Sequence, residues 1–171
     1  MHKKRVAILS ILLIAVVAAV TIAVSVFLLP KHHEPYSQTF SSLEKAPDFS
    51  LGGENRYFDN LKSGEENVLL FWGSWCPHCE SLIEKIDQAD EADVIKKNLF
   101  TVAQDENLDD IESHRGDFPI YLDQDRSVYN SYELEHIPTV FIVTDQGGII
   151  GSAQGEEDSF KLLNEYVQYN K

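Results

Sequence analysis

Cysteine is almost absent from this chain of 171 residues: there are two, at positions 76 and 79. A pair so close together cannot tie distant segments of a fold to one another, which excludes a disulfide-stapled scaffold and leaves local sulfur chemistry. Basic residues are scarce as well, with 14 Lys and Arg against 28 Asp and Glu and a net charge of −14. A nucleic acid would be repelled by such a surface, so it is excluded as a natural partner; the ordinary meaning of the acidity is solubility. Metal ligands in recognisable spacing are missing too. His32, His33, His114 and His136 pair with no thiol or acidic ligand, so the second half of a zinc site is lacking, and Glu80 stands where haem attachment through C-x-x-C-H would need histidine. No metal and no cofactor beyond a redox-active Cys76–Cys79 disulfide is expected.

What the chain does contain is one long run without charge. After the basic cluster Lys3-Lys4-Arg5, residues Val6 to Leu29 carry only Ser10, Thr21 and Ser25 as polar residues. As a helix this run reaches roughly 36 Å, enough for a hydrocarbon core of about 30 Å. A cleaved secretory signal is the rival, but the apolar run continues past the small residues Ala18, Ala19 and Ala23, and no cysteine follows for lipidation. The expected organisation is a cytoplasmic end over 1–5, a single transmembrane signal-anchor over 6–29, a polar tether over 30–45 interrupted by Pro35, and one exported domain over 46–171. Without its basic end, the exported part is more acidic still.

Within that domain Asn67-Val68-Leu69-Leu70-Phe71-Trp72 is a short continuous apolar run, the pattern of a central strand covered on both faces. The cysteine motif follows at once. Cys79, Leu82, Ile83, Ile86 and Ala89 then recur at helical spacing, with Glu80 and Glu84 on the opposite side. Further along, Leu99 to Ala103 predicts a strand, Leu108 to Arg115 a short helix, Ile120 to Leu122 a strand and Ser127 to Tyr132 a helix. Thr139 to Val143, the turn Asp145-Gln146-Gly147-Gly148 and Ile149-Ile150 predict a hairpin, and Phe160, Leu163, Tyr166 and Val167 mark a closing helix. The fold class is α/β, a central mixed sheet sandwiched by helices.

The motif therefore falls at a strand-to-helix turn. A cysteine at the start of a helix is acidified, because the helix dipole and unpaired N–H groups favour the thiolate. Cys76 holds that position, and Cys79, one turn on, is placed to resolve a mixed disulfide. Pro77 suits the first helical turn, where no N–H partner is lost, and His78 can add positive charge or a hydrogen bond near sulfur. Trp75 is expected to shield one side of the sulfur and to touch substrate, Trp72 to be core, and His136 to be an exposed loop residue.

The segments 71–79 and His136-Ile137-Pro138-Thr139 resemble the active-site turn and the cis-proline loop of the thioredoxin superfamily. Ala46-Pro47-Asp48-Phe49-Ser50-Leu51 and the stretch 118–125 resemble its membrane-tethered TlpA/ResA branch, so the likeness covers residues from about 46 onward. It implies a thioredoxin-like fold with an extra helix and strand in its middle. It also implies a thiol–disulfide oxidoreductase whose Ile137-Pro138 edge docks an extended substrate segment by β-augmentation. The expected partners are exported protein thiols or disulfides and a membrane or extracytoplasmic redox protein, met by a monomer at the cell membrane.

Two departures from the family bear on direction. Leu70 stands where thioredoxin has a buried aspartate and Leu82 where ResA-like reductases have a glutamate, so neither internal proton relay is present. The Pro77-His78 pair resembles that of the oxidase DsbA, and a stabilised reduced form makes a stronger oxidant. The expectation is thus a protein that donates or isomerises disulfides, with ResA-like reduction of apocytochrome as the alternative. A redox-inactive binding module or chaperone is the rival of another class. Peroxidase chemistry is disfavoured, since its T-x-x-C signature would need threonine at Gly73.

Overall fold

The structure is a computed structural model that describes residues 36–37, 39–114 and 118–171. The expected anchor over 6–29 lies outside the described residues, as do 1–5 and the start of the tether. Among the described residues no helix is long and apolar enough to cross a membrane.

The strand predicted at Asn67–Trp72 forms (β3), and every one of its six residues is buried. It lies at the centre of a five-stranded sheet of order β5-β4-β3-β6-β7. β4 (Leu99–Ala103) runs parallel to it and β6 (Thr139–Val143) antiparallel. β5 (Ile120–Leu122) is parallel to β4, and β7 (Ile149–Gln154) closes the other edge as the second arm of the predicted hairpin. The sheet is mixed, as the residue pattern requires.

Alternation along β3 divides the core. Val68, Leu70 and Trp72 face one side, where Leu82, Ile83 and Ile86 of α1 (Pro77–Gln88) and Leu162, Leu163 and Tyr166 of α4 (Glu156–Asn170) cover them. Ile95 of α2 (Ala92–Lys97) adds to this layer. Leu69 and Phe71 face the other side, under Phe49, Tyr57 and the short α3 (Ser127–Ser131) with the following Tyr132. There Phe71, Tyr132 and Phe141 form an aromatic cluster with centroids 4.9 and 5.2 Å from Tyr132. Each such fully buried aliphatic or aromatic side chain contributes roughly 1.5–3 kcal/mol. The sandwich therefore holds β3 rigidly, and with it the turn that β3 delivers.

Three elements had no clear sequence signal. A small hairpin, β1 (Ser50–Gly52) with β2 (Asn55–Arg56), turns through Gly52 and Gly53 at positive φ. A 3-10 turn over Tyr57–Asn60 follows it. Helix α2 buries only Ile95, too little to show a period. The helix expected over 108–115 is a 3-10 helix, Leu108–His114.

Within the stretch expected as a tether, the described residues from Tyr36 onward pack against the domain. Tyr36 is buried against Gly151, where an added Cβ would come within 2.9 Å of Tyr36 Cβ, and its hydroxyl donates to the buried Glu66. The backbone N–H groups of Phe40 and Ser41 donate to Ser152 Oγ, both at 3.0 Å, and Ile149 N donates to Glu44 O. Tyr36, together with Phe40 beside Phe141, lays this mostly polar segment along β7, and its composition conceals them.

Candidate active site

The C-terminal end of β3 and the N-terminal end of β6 share one edge of the sheet, because the two strands are antiparallel with Phe71 opposite Thr139. The turn after β3 carries Cys76, which is the N-cap of α1 with extended φ and ψ. Pro77 occupies the first helical turn as expected. Cys76 O accepts from Cys79 N at 2.9 Å and from Glu80 N at 3.1 Å, so the helix begins at the sulfur-bearing residue. Cys76 is 7 % exposed and Cys79 0 %, and both thiols are free. One sulfur is thus reachable and the other shielded. Burial pushes the Cys79 thiol well above its ordinary range, and its hydrogen bond with Cys76 adds to this.

The Ile137–Pro138 peptide is cis. It stands across from the motif, with Cys76 Sγ 3.8 Å from Ile137 O. Thr139 Oγ1 donates to His136 O at 2.7 Å and Gly155 N to Pro138 O at 2.8 Å, which fixes the loop on both sides of the proline. His136 is exposed.

Trp75 is 65 % exposed and lies over Gly73, whose added Cβ would come within 2.9 Å of the indole and 3.3 Å of Ile137 Cδ1. Any side chain at position 73, threonine included, would displace this ring. Trp75 Nε1 donates to Gln104 O at 3.1 Å, while Gln104 N donates to Trp72 O and Gln104 Nε2 to Asp123. Next to it the buried Asp105 accepts from the backbone N and the hydroxyl of Ser74. Trp72 is core, as expected.

The side chain of His78 is 76 % exposed, and its Nδ1 is 3.0 Å from Glu156 Oε2. The other carboxylate oxygen accepts from Ser81 Oγ and from Lys85 Nζ, each at 2.6 Å. His78, Ser81 and Lys85 share one face of α1 and converge on the first residue of α4. Lys85, then Ser81, then His78 hold the Glu156 carboxyl down at about 2, against an ordinary 4.5. Neither Leu70 nor Leu82 leaves room for an acid in the core: both are buried, and Glu80 and Glu84 are exposed. Among the described residues no group of three or more His, Cys, Asp or Glu is arranged to hold a metal ion.

A protein-family profile described as Redoxin matches residues 42–167. The chain belongs to the Redoxin family. It is 29% identical over 108 residues to the sporulation thiol-disulfide oxidoreductase A of Bacillus subtilis, covering 58% of this chain and 64% of that protein. It thus spans slightly less than two thirds of that relative. Over 158 residues it is 25% identical to the thiol-disulfide oxidoreductase ResA of Bacillus cereus, covering 78% of this chain and 84% of the relative. A crystal structure of a thiol:disulfide interchange protein DsbE from Chlorobium tepidum superposes with a TM-score of 0.59 at 23% identity, over 74% of this chain and 95% of that one. The fold is thioredoxin-like and this Redoxin member is a thiol–disulfide oxidoreductase.

Of the residues singled out in the sequence, Cys76, Pro77, His78, Cys79, Trp75, Ile137 and Pro138 are all brought to one edge of this redoxin's sheet. The sequence reading missed Gln104, Asp105 and Glu156. A signal existed for the first two, since they follow β4, and the carboxyl ends of neighbouring parallel strands meet at one edge. Gly155-Glu156-Glu157-Asp158 reads as a helix start, but nothing in it points to His78. The depressed Glu156 carboxyl has a consequence for stability. Its contribution is complete above pH 4.5 and is lost as the pH falls toward 2. Urea midpoints at pH 5 and pH 3 should therefore fall more steeply in the native chain than in a Glu156→Gln variant; equal slopes would contradict the assignment.

Proposed function

We propose that the protein reduces disulfides in exported polypeptides, outside the cytoplasm and held to the membrane by the 6–29 segment. The observation that carries the exchange is the meeting of a reachable Cys76 with the Ile137–Pro138 edge, 3.8 Å from sulfur to carbonyl. A substrate segment lying along Ile137 presents its disulfide to Cys76. The Cys76 thiolate attacks one sulfur, the substrate S–S bond breaks, and the leaving sulfur takes up a proton. Cys79 then loses its proton and attacks Cys76 Sγ. The second substrate sulfur departs as a thiol, and Cys76–Cys79 is left oxidised for an external dithiol to restore. Atoms and electrons balance: two electrons and two protons pass from the protein to the substrate.

The reducing direction replaces the oxidising one that Pro77-His78 suggested. The supporting observations are the ResA relatives and the position of His78, whose Nδ1 is engaged by a carboxylate. Direction is tested by equilibrating the full-length chain in detergent with glutathione buffers and by insulin reduction in parallel. A potential near that of thioredoxin, about −270 mV, with insulin precipitation is the expected result. A potential near −120 mV, as in DsbA, together with catalysed oxidation of a reduced protein, would reverse the direction.

A further inference from the structure

We infer that Glu156 is a positioning residue of the redox site, which sets the potential of the Cys76–Cys79 couple by holding His78. The inference rests on the exchange reaction proposed above and adds a residue to it from a different part of the chain.

Three donors from α1, at 78, 81 and 85, end on this one carboxylate. The geometry does two things to the imidazole between the cysteines. It fixes the ring on the α4 side by its Nδ1, with that nitrogen carrying the proton. It also sets a full negative charge 3.0 Å from the ring, which offsets whatever positive charge the ring takes on. An unrestrained imidazole in a Cys-Pro-His-Cys turn would stabilise the Cys76 thiolate by its charge and by a hydrogen bond. A restrained and neutralised one stabilises it less. Since stabilising the reduced form makes an oxidant, withdrawing that stabilisation makes a reductant. The same three bonds also tie the cysteine-bearing helix to α4, so His78 is held by a fixed frame and not by a mobile side chain. The effect of Glu156 is expected on the sulfur couple, because the ring lies inside the motif.

The test is a cycle of full-length variants: native, Glu156→Gln, His78→Asn and the double substitution, each equilibrated with glutathione. Glu156→Gln should shift the equilibrium constant toward the reduced protein by three- to tenfold, about 15–30 mV more oxidising. In the His78→Asn background the same change should alter the constant by less than twofold. An unchanged constant in Glu156→Gln, or an equal shift in both backgrounds, would overturn the inference, the latter because Glu156 would then act without His78. Should Glu156→Gln lose its native circular dichroism, Glu156→Asp keeps the charge and shortens the reach. It is expected to shift the constant in the same direction by a smaller factor, and no shift would again overturn the inference. Absence of exchange in the native chain in either direction would instead defeat the functional reading on which this rests.

Discussion

Cys76→Ser abolishes turnover with any disulfide or dithiol substrate, a loss on the order of 10³-fold or more, whereas Cys79→Ser stalls the protein with substrate attached. The asymmetry follows from burial. Cys76 keeps an opening to solvent beside Ile137, and Cys79 has none. A substrate sulfur can therefore reach only the first thiol, and the second serves only to attack the first. Mass spectrometry of the Cys79→Ser chain after mixing with a disulfide peptide should show one adduct per chain, and Cys76→Ser should show none. Adducts on Cys79 in the Cys76→Ser chain would mean that the roles are exchanged. Because burial holds the Cys79 thiol high and Leu70 and Leu82 offer no internal base, resolution is expected to be slower than capture. Rapid-quench measurements should then find the mixed disulfide in the native chain too.

Asp123→Ala is expected to cost about 3 kcal/mol. Its buried carboxylate accepts from Val128 N at 3.1 Å, Tyr129 N at 2.8 Å and Gln104 Nε2 at 3.1 Å. Removing it orphans two N–H groups at the start of α3, whose own N-cap, Arg126, makes no side-chain cap. It also releases Gln104, whose carbonyl holds the Trp75 indole. Thermal unfolding should fall by roughly 10 °C, and Trp75 emission should change alongside. Asp123→Asn, which keeps an acceptor, should lose less. A cost below about 1 kcal/mol for the alanine variant would show that water replaces the carboxylate, contrary to its burial.

Much of this was legible in the residues because the physics was local. Five apolar residues in a row, Val68 to Trp72, have the pattern of a strand covered on both faces, and β3 is that strand. A cysteine, a proline and an amphipathic period specify a helix starting at sulfur, and α1 starts there. Ile137-Pro138 was legible only through family likeness, since its meeting with Cys76 depends on the antiparallel register of β6. What could not be read was long-range and polar. The Glu156 carboxylate reaches α1 from 78 positions beyond His78, and Tyr36 reaches Glu66 from a stretch whose composition suggests a free tether. His78 was likewise read by its sequence neighbours alone, while its partner Glu156 lies on another helix.

The two halves of the site, the cysteine turn and the proline loop, are 61 residues apart along the chain and meet only when β6 zips onto β3. On a growing chain the thiols therefore emerge well before the edge that would select their substrate, and a contact so distant in sequence is slow to close. With no third cysteine anywhere in the chain, that interval carries no risk of internal mispairing. The nascent protein can close only the Cys76–Cys79 disulfide within itself, and any other bond it makes must be to a different molecule.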